Sequence, residues 1–170
     1  LRVDASEQPD SSRKGATVTA LDRTDVGLIE ALQEDGRLTI KELAARVSLS
    51  TSATHERVRR LFATGVLRGV HAEVAPAALG VGLQAIIAVH LQRHSREAVT
   101  AFRDHALAQS EVVAVTHLTG AVDFLVHVAV RDTDHLRDLA LAAFTTRDEV
   151  ARLETSVVYE HVRAEVWPVY

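Results

Sequence analysis

The segment LSTSATHERVRRL, residues Leu49–Leu61, has small hydroxyl residues near its start and three arginines towards its end. Val58 and Leu61 stand among the arginines with helical spacing, so both would lie on one face of a helix. Ser50 is of a type that caps helix N-termini. The pattern predicts an amphipathic helix that buries one face and lays a cationic face against a polyanion.

Two shorter helices are predicted ahead of this segment. Asp22 caps a helix that runs to about Glu34, with apolar residues along one side. Thr39 and Glu42 have the spacing of a capping box and begin the second helix. A turn of a few residues then separates the second helix from the third, and this arrangement is the helix-turn-helix pattern.

Charge is distributed unevenly along the chain, whose formal net charge is −4. Residues 37–68 carry seven bases and two acids, which gives +5. Residues 22–35 carry five acids and one base, and residues 77–170 carry twelve acids and eight bases. The basic block coincides with the second and third predicted helices, and this position indicates nucleic-acid binding.

The second half of the chain has a different pattern of apolar residues, which predicts strands as well as helices. Strands are predicted at 83–91, 112–118, 123–130 and 153–162, with helices that begin at Ser95 and at Asp132 or Thr133. The order strand, helix, strand, strand, helix, strand is that of the ferredoxin-like split βαβ arrangement. The sheet face away from the helices is also predicted to be apolar, with Val113, Val115, Leu125 and Ala129 on it. An apolar face of this kind needs a partner, so we expect a homodimer built sheet to sheet.

The predicted fold class is α+β, with an N-terminal helix-turn-helix (winged-helix-like) domain and a C-terminal ferredoxin-like βαββαβ domain. The predicted parts are a flexible N-terminal arm at 1–20, the helix-turn-helix domain at 21–65, an extended arm and hinge at 66–82, and the ferredoxin-like domain at 83–170.

Composition and the motifs that are missing argue against other classes. The chain has no cysteine, so we expect neither disulfides nor thiolate chemistry, and the expected compartment is a reducing cytoplasm. No stretch approaches the roughly 18 apolar residues that a membrane span needs. Neither a Gly-x-Ser-x-Gly elbow nor a P-loop occurs. The nine histidines are scattered, and His90 and His94 fall where a strand ends, so we expect no metal and no cofactor.

Three segments carry a likeness to a known family. They are LDRTDVGLIEALQEDGRLTIKELAARVSLSTSATHERVRRLFATGVLRGVHAEVAPAALG at 21–80, TGAVDFLVHV at 119–128 and LETSVVYEHV at 153–162. Together they make the chain from Leu21 to Glu165 resemble the Lrp/AsnC family, the leucine-responsive or feast/famine transcription regulators. The resemblance implies a DNA-binding head, an effector domain whose ligand is an amino acid, no enzymatic activity, and homodimers that often assemble into octamers.

On this interpretation the third helix is the recognition helix, and its partner is double-stranded DNA. The helix N-terminus at Ser50 and Thr51 carries free amides that can grip a phosphate. Ser52 and His55 are expected to face base edges in the major groove. Further phosphate contacts are expected from Arg57, Arg59 and Arg60, with a bidentate contact of one of them to guanine as a variant. In the alternative interpretation, these arginines only solvate the helix and pair with Glu56. Thr54 is expected to point inward, so its hydroxyl needs a local backbone partner.

The expected effector site is a turn between two strands together with one residue of the last strand. Its residues are Thr119, Gly120, Ala121, Val122, Asp123 and Thr155. The family turn usually reads Gly-Asp-aromatic-Asp; here Gly120 and the second acid are kept, whereas the first acid and the aromatic are missing. Asp123 is predicted to hold a ligand's ammonium and the turn amides its carboxylate. Thr155 matches a family threonine that lines the pocket. In the alternative interpretation, Gly120 only makes the turn and Asp123 caps it.

Two other functions fit the same pattern. The incomplete Gly120–Asp123 turn is compatible with a nucleoid-type architectural protein that binds DNA without an effector. A tetrapyrrole decarboxylase-like enzyme on the same two-domain plan would use His117 and His127, which are predicted to lie on adjacent strands and to point the same way. The basic recognition helix argues against the enzyme, because a scaffold has no need of that charge.

Overall fold

The computed structural model describes residues 20–164 and 166–168. The described chain forms two compact units. Of the described residues, the first contains 20–72, 163–164 and 166–168, and the second is Glu73–Val162. The unit boundary falls inside the 66–82 stretch, whose role as arm and hinge stays a prediction. The N-terminal arm predicted at 1–20 lies outside the described residues except for Ala20.

The first unit contains three helices, which we number in chain order. They are α1 (Arg23–Glu34), α2 (Ile40–Arg46) and α3 (Thr51–Ala63). Both α1 and α2 begin with a capping box, built by Asp22 with Asp25 and by Thr39 with Glu42. A capping box satisfies free amides at a helix start, so these short helices begin where the sequence predicts. After α3, Gly65 adopts a φ of +74°, which favours glycine and ends the helix.

The core of the first unit is formed by one leucine from each helix. Leu28, Leu43 and Leu61 are almost completely buried. Burying a leucine contributes about 1.5–3 kcal/mol, so these contacts fix the three helices together. Thr54 is also fully buried, and its Oγ1 donates to the carbonyl oxygen of Ser50 at 3.0 Å. The predicted local partner of this hydroxyl is therefore confirmed.

The stretch after α3 is irregular. Residues 64–75, all of which the structure describes, contain turns and coil but no strand. A short 3₁₀ helix, Pro76–Leu79, follows. The helix-turn-helix head is present, and the extended arm predicted over residues 66–74 is coil.

The second unit is a four-stranded antiparallel sheet with helices on one face. Its elements are β1 (Leu83–Leu91), α4 (Arg96–Leu107), β2 (Val112–His117), β3 (Phe124–Val130), α5 (Thr133–Leu139) with a π-helical continuation (Ala140–Thr145), and β4 (Val150–Val157). The strand order is β2-β3-β1-β4, which is the ferredoxin-like βαββαβ topology.

Three phenylalanines hold the helices on the sheet. Phe102 of α4, Phe124 of β3 and Phe144 of the π-helical segment are fully buried. The ring centroid of Phe102 lies 4.8 Å from that of Phe124 and 6.1 Å from that of Phe144, within the range of favourable aromatic contacts.

The bounds 153–162 that the sequence predicts for the last strand are wrong. β4 begins at Val150 and ends at Val157. Val157 faces Ala85, and the amide of Val158 donates to the carbonyl oxygen of Gln84 at 2.9 Å, so β4 has then reached the start of β1. Val150 belongs to the strand because its buried side chain packs in the core.

The sheet face away from the helices differs in part from the prediction. Ile86, Ala88 and Leu125 lie on it and are half-buried, but His127 faces Ile86 on the same surface. Val115 faces Val126 and packs against the helix-side core, so its predicted position is wrong. The register of β2 shifts between Val112 and Ala114, and a bulge of this kind changes which side chains share a face.

Candidate DNA interface and effector site

The N-terminal half of α3 presents polar side chains to solvent. Thr51, Ser52 and His55 are exposed. The side chain of Ser50 accepts from the amide of Ala53 at 3.2 Å, so it caps the helix as predicted. The first turns of α3 therefore offer small polar groups and free amides at an open surface.

The outward face of α3 continues with an ion pair. Ser52, Glu56 and Arg59 share this face because they are four and three residues apart. Arg59 Nη2 donates to Glu56 Oε1 at 2.7 Å, and both side chains are mainly exposed. Hydrogen bonding from Arg59 lowers the pKa of the Glu56 carboxyl. The alternative interpretation of the sequence, in which these arginines pair with Glu56, is thus met for Arg59.

The other two arginines of α3 turn towards α1. Arg57 Nη1 donates to Asp22 Oδ2 at 2.6 Å and to Asp25 Oδ1 at 2.9 Å. Arg60 Nη2 donates to both carboxylate oxygens of Asp25, at 2.8 and 2.7 Å. We call Asp22, Asp25, Arg57 and Arg60 the acid–arginine cluster. Two carboxylates and two guanidiniums give it no net charge.

Asp25 is the interior member of the acid–arginine cluster, with 1% of its surface exposed. A buried carboxylate is costly unless it is paired, and the two guanidiniums supply that pairing. The backbone amide of Asp25 and the Arg57 side chain hold the pKa of the Asp22 carboxyl below its usual value. The available sequence signal was an acid at helical spacing from Leu28 and Leu32, inside the apolar side of α1.

The expected effector turn connects β2 to β3. Gly120 has a φ of +119°, a conformation that favours glycine. The amide of Leu118 donates to the carbonyl of Asp123 at 2.8 Å, which closes the turn. Thr119 and Ala121 are exposed, and Val122 is half-buried. The structure thus brings together five of the six expected effector residues.

Asp123 itself is only 6% exposed, and both of its carboxylate oxygens have partners. Oδ2 accepts from the amide of Leu91 at 2.8 Å. Oδ1 lies 2.7 Å from Nδ1 of His94, a residue that sequence reasoning considered only as a metal ligand. Asp123 therefore ties the turn to the end of β1, and a ligand ammonium at Oδ1 would have to displace His94.

Thr155 lies away from this turn within one chain. It faces Ile87 in the sheet, whereas Asp123 contacts Leu91, four residues further along β1. A strand advances about 3.3 Å per residue, so roughly 13 Å of strand separates the two positions. The structure does not bring Thr155 together with the other expected effector residues.

A cavity of about 340 Å³ lies between α4, the start of β2 and the α5 region. It is lined by His105, Gln109, Glu111, His135, Asp138, Leu139, Ala142 and Ala143. His135 Nε2 lies 3.1 Å from Glu111 Oε1, and His105 Nε2 lies 2.7 Å from the carbonyl oxygen of Ala143. None of the expected site residues lines this cavity.

The geometry removes the basis of the enzyme alternative. His117 faces Phe124 and stacks on its ring, with centroids 4.7 Å apart, on the helix side of the sheet. His127 faces Ile86 on the other side. The prediction that these two histidines point the same way is therefore wrong. Among the described residues, no three His, Asp or Glu side chains are grouped to hold a metal ion. No helix in that part of the chain is long and apolar enough to cross a membrane.

A three-helix head that exposes the start of its third helix, followed by a ferredoxin-like unit, fits the class of DNA-binding regulators with a separate ligand-binding unit. Residues 21–61 match the AsnC-type helix-turn-helix domain, and residues 84–168 match the Lrp/AsnC ligand binding domain. The chain belongs to the Lrp/AsnC family of transcriptional regulators, which is not a family of enzymes.

Relatives and solved structures agree with this assignment. The HTH-type transcriptional regulator AldR of Mycolicibacterium smegmatis is 38% identical over 92% of this chain and 91% of its own length. The regulator NMB0573 of Neisseria meningitidis, solved as a complex with L-Met, has a TM-score of 0.77 and 31% identity, covering 85% of this chain and 94% of that one. AsnC of Escherichia coli has a TM-score of 0.75 and 26% identity, covering 85% and 97%. The family resemblance and the α+β fold class are confirmed.

Proposed function

We propose that this regulator binds specific sequences of double-stranded DNA as a homodimer, and that an amino acid modulates its DNA binding or its assembly. A regulator with this function acts in the cytoplasm. The observation that carries the proposal is the exposed start of α3, where Thr51, Ser52 and His55 stand beside the capped helix N-terminus. Short polar side chains at this position reach base edges when a recognition helix enters the major groove.

Arg59 supplies the phosphate contact in this proposal. It lies on the same outward face as Ser52 and is mainly exposed. Its partner Glu56 is a surface acid, and a surface ion pair of this kind is weak enough to exchange for a phosphate. The freed carboxylate of Glu56 can then accept from the amino group of a cytosine.

The homodimer is supported by the apolar part of the open sheet face. Ile86, Ala88 and Leu125 are half-buried there and have no covering helix within the described residues. Two-fold symmetry would place two heads on a pseudo-palindrome, with half-sites about one or two helical turns apart. Assembly of such dimers into octamers is what the family resemblance implies.

The effector proposal rests on the ligand-binding match and on the chemistry of the β2–β3 turn. A relative bound to L-Met supports an amino acid as the class of ligand. Asp123 and the turn amides after Gly120 offer an acceptor for an ammonium and donors for a carboxylate. Thr155 joins this site in the proposal only when a second chain supplies it.

The test is fluorescence anisotropy with the duplex upstream of the chain's own gene and a scrambled duplex. Both are measured at two salt concentrations, with and without pooled amino acids. We expect tighter binding to the upstream duplex, a steep decrease with salt, and a shift with amino acids. Specific binding without any shift would leave an architectural DNA-binding protein. No binding to either duplex at low salt would overturn the proposal.

Base reading has a separate control. Ser52→Ala and His55→Ala should change which duplexes are preferred, by about 1 kcal/mol at one or two base positions. Thr100→Ala removes an exposed hydroxyl from α4 in the second unit and should leave the preference unchanged. Equal loss of affinity for all duplexes in the Ser52 and His55 variants would count against base reading.

A further inference from the structure

We infer that Asp25 and Asp22 are positioning residues that hold Arg57 and Arg60 away from the DNA backbone, and that the sequence preference of the head depends on this restraint. The inference rests on the proposed DNA binding. It assigns opposite roles to arginines that are close neighbours in the sequence.

The side chains of Arg57 and Arg60 point towards α1, whereas that of Arg59 points outward. Arg57 and Arg60 are three residues apart, so they share the side of α3 that faces α1. Arg59 lies between them in sequence but on the outward face, with Ser52 and Glu56. The guanidiniums of Arg57 and Arg60 meet the Asp25 carboxylate at 2.7–2.9 Å.

The buried carboxylate of Asp25 restrains both arginines strongly. Asp25 is 1% exposed, so it cannot exchange its arginines for water. Loss of either arginine would leave a buried carboxylate with one partner fewer, which is strongly unfavourable. Arg60 contacts Asp25 through Nη2, and Arg57 contacts Asp22 and Asp25 through Nη1. The charge of both guanidiniums is thus already balanced by carboxylates, which reduces their attraction for a phosphate that approaches the head. The surface pair of Arg59 with Glu56 presents no such obstacle.

The restraint of these arginines affects how well the head distinguishes DNA sequences. The acid–arginine cluster has no net charge, so it adds little to the release of counterions that drives binding to any sequence. An arginine that is released from the cluster would add a phosphate contact that carries no sequence information. Restraint by the two acids therefore favours base readout over nonspecific binding, and it also fixes α3 on α1.

The central test is Asp25→Asn in the full chain. Asparagine has nearly the same shape and still accepts hydrogen bonds, so the head keeps its packing while the cluster gains one positive charge. The probes are a duplex that the wild-type chain selects from a randomised pool and a scrambled duplex of the same composition. We expect tighter binding to the scrambled duplex, a salt slope steeper by about one unit, and a smaller ratio between the two affinities.

Two matched variants separate restraint from charge. Asp134→Asn removes an exposed acid that pairs with Arg137 in the second unit, so it makes the same charge change away from the head. It should leave the slope and the affinity ratio unchanged. Adding Arg60→Gln to Asp25→Asn removes the released cation and should restore the wild-type slope.

A third variant covers the case in which Asp25→Asn fails to fold, as judged by circular dichroism. Asp22→Ser keeps a good helix cap and removes only the outer carboxylate that Arg57 contacts. We expect the salt slope to steepen, by less than in Asp25→Asn, because Asp25 still contacts Arg57.

The outcomes distinguish the inference from the proposed function. Equal weakening for both duplexes with an unchanged slope would show that the cluster only stabilises the head, and would overturn the inference. The same holds if Asp134→Asn steepens the slope as much as Asp25→Asn does. If the wild-type chain selects no duplex and binds none at low salt, the proposed function fails first, and the inference fails with it.

Discussion

The two units each contain a buried aspartate, and the two differ in their partners. Asp25 in the head is 1% exposed and pairs with two arginines, whose charge is permanent at physiological pH. Asp123 in the second unit is 6% exposed and pairs with a backbone amide and with His94, whose side chain is 70% exposed. Asp25 is thus paired with two permanently charged side chains, whereas the side-chain partner of Asp123 is exposed and can be displaced.

The largest expected effect comes from Asp25→Ala. The variant removes the acceptor of the hydrogen bonds from two guanidiniums and part of a capping box, so the free energy of unfolding should fall by about 2–3 kcal/mol. Urea unfolding followed by circular dichroism measures the change. Asp104→Ala, which removes an exposed acid from α4, is the control and should stay within 0.5 kcal/mol by the usual behaviour of surface substitutions. A similar loss in both variants would remove the distinction between the buried and the exposed acid.

Asp123→Ala should have the next largest effect. The buried amide of Leu91 loses its acceptor, which costs about 1–2 kcal/mol in the free energy of unfolding. The variant should also lose any response to amino acids while its affinity for DNA in their absence stays unchanged. Anisotropy with and without the pooled amino acids measures this. A response that survives the substitution would mean that the effector binds elsewhere in the second unit.

Arg59→Ala tests the contrast between free and restrained arginines. We expect the affinity for all duplexes to fall similarly and the salt slope to become shallower by about one unit, because one phosphate contact is lost. Arg137→Ala removes an exposed arginine from α5 in the second unit and should not change the slope. A slope that is unchanged in Arg59→Ala would exclude this residue from the phosphate contacts.

The smallest effect on stability is expected for His94→Ala, which removes the exposed side-chain partner of the buried Asp123. The exposed imidazole contributes little to folding, so the urea midpoint should match that of the wild type. Oδ1 of Asp123 becomes free for a ligand ammonium, so the amino-acid response should occur at a severalfold lower concentration. Arg93→Ala, at a neighbouring exposed residue, is the control. An unchanged midpoint together with a weaker response would show that His94 belongs to the ligand site instead of competing with the ligand.

Local signals explain why much of the fold could be predicted from the sequence. A capping box such as Thr39 with Glu42 acts within four residues, and the strand Leu83–Leu91 has the apolar run of a core strand. Both were predicted with the correct start. Thr54 was predicted to need a backbone partner because its position inside an apolar face leaves a hydroxyl without water, and Ser50 provides that partner.

What could not be predicted depends on contacts between distant residues. The pairing of Asp25 with Arg57 and Arg60 joins positions 32 and 35 residues apart, and no local pattern indicates which arginine faces the acid. The position of Val115 depends on a bulge in β2, which the alternation of apolar residues does not reveal. The bond between His94 and Asp123 requires the end of β1 to lie beside the β2–β3 turn, which follows only from the sheet order.

The pairing of β1 with β4 has a practical consequence for the second unit. Ala85 faces Val157, so the chain enters and leaves the sheet at adjacent positions. Nearby ends and an exposed turn are the features that circular permutation needs. A permuted chain would join residue 157 to residue 83 through a short linker and open next to the exposed Gly120. This change would preserve the order of the four strands in the sheet. We therefore expect the second unit to keep the same sheet when its chain starts at β3.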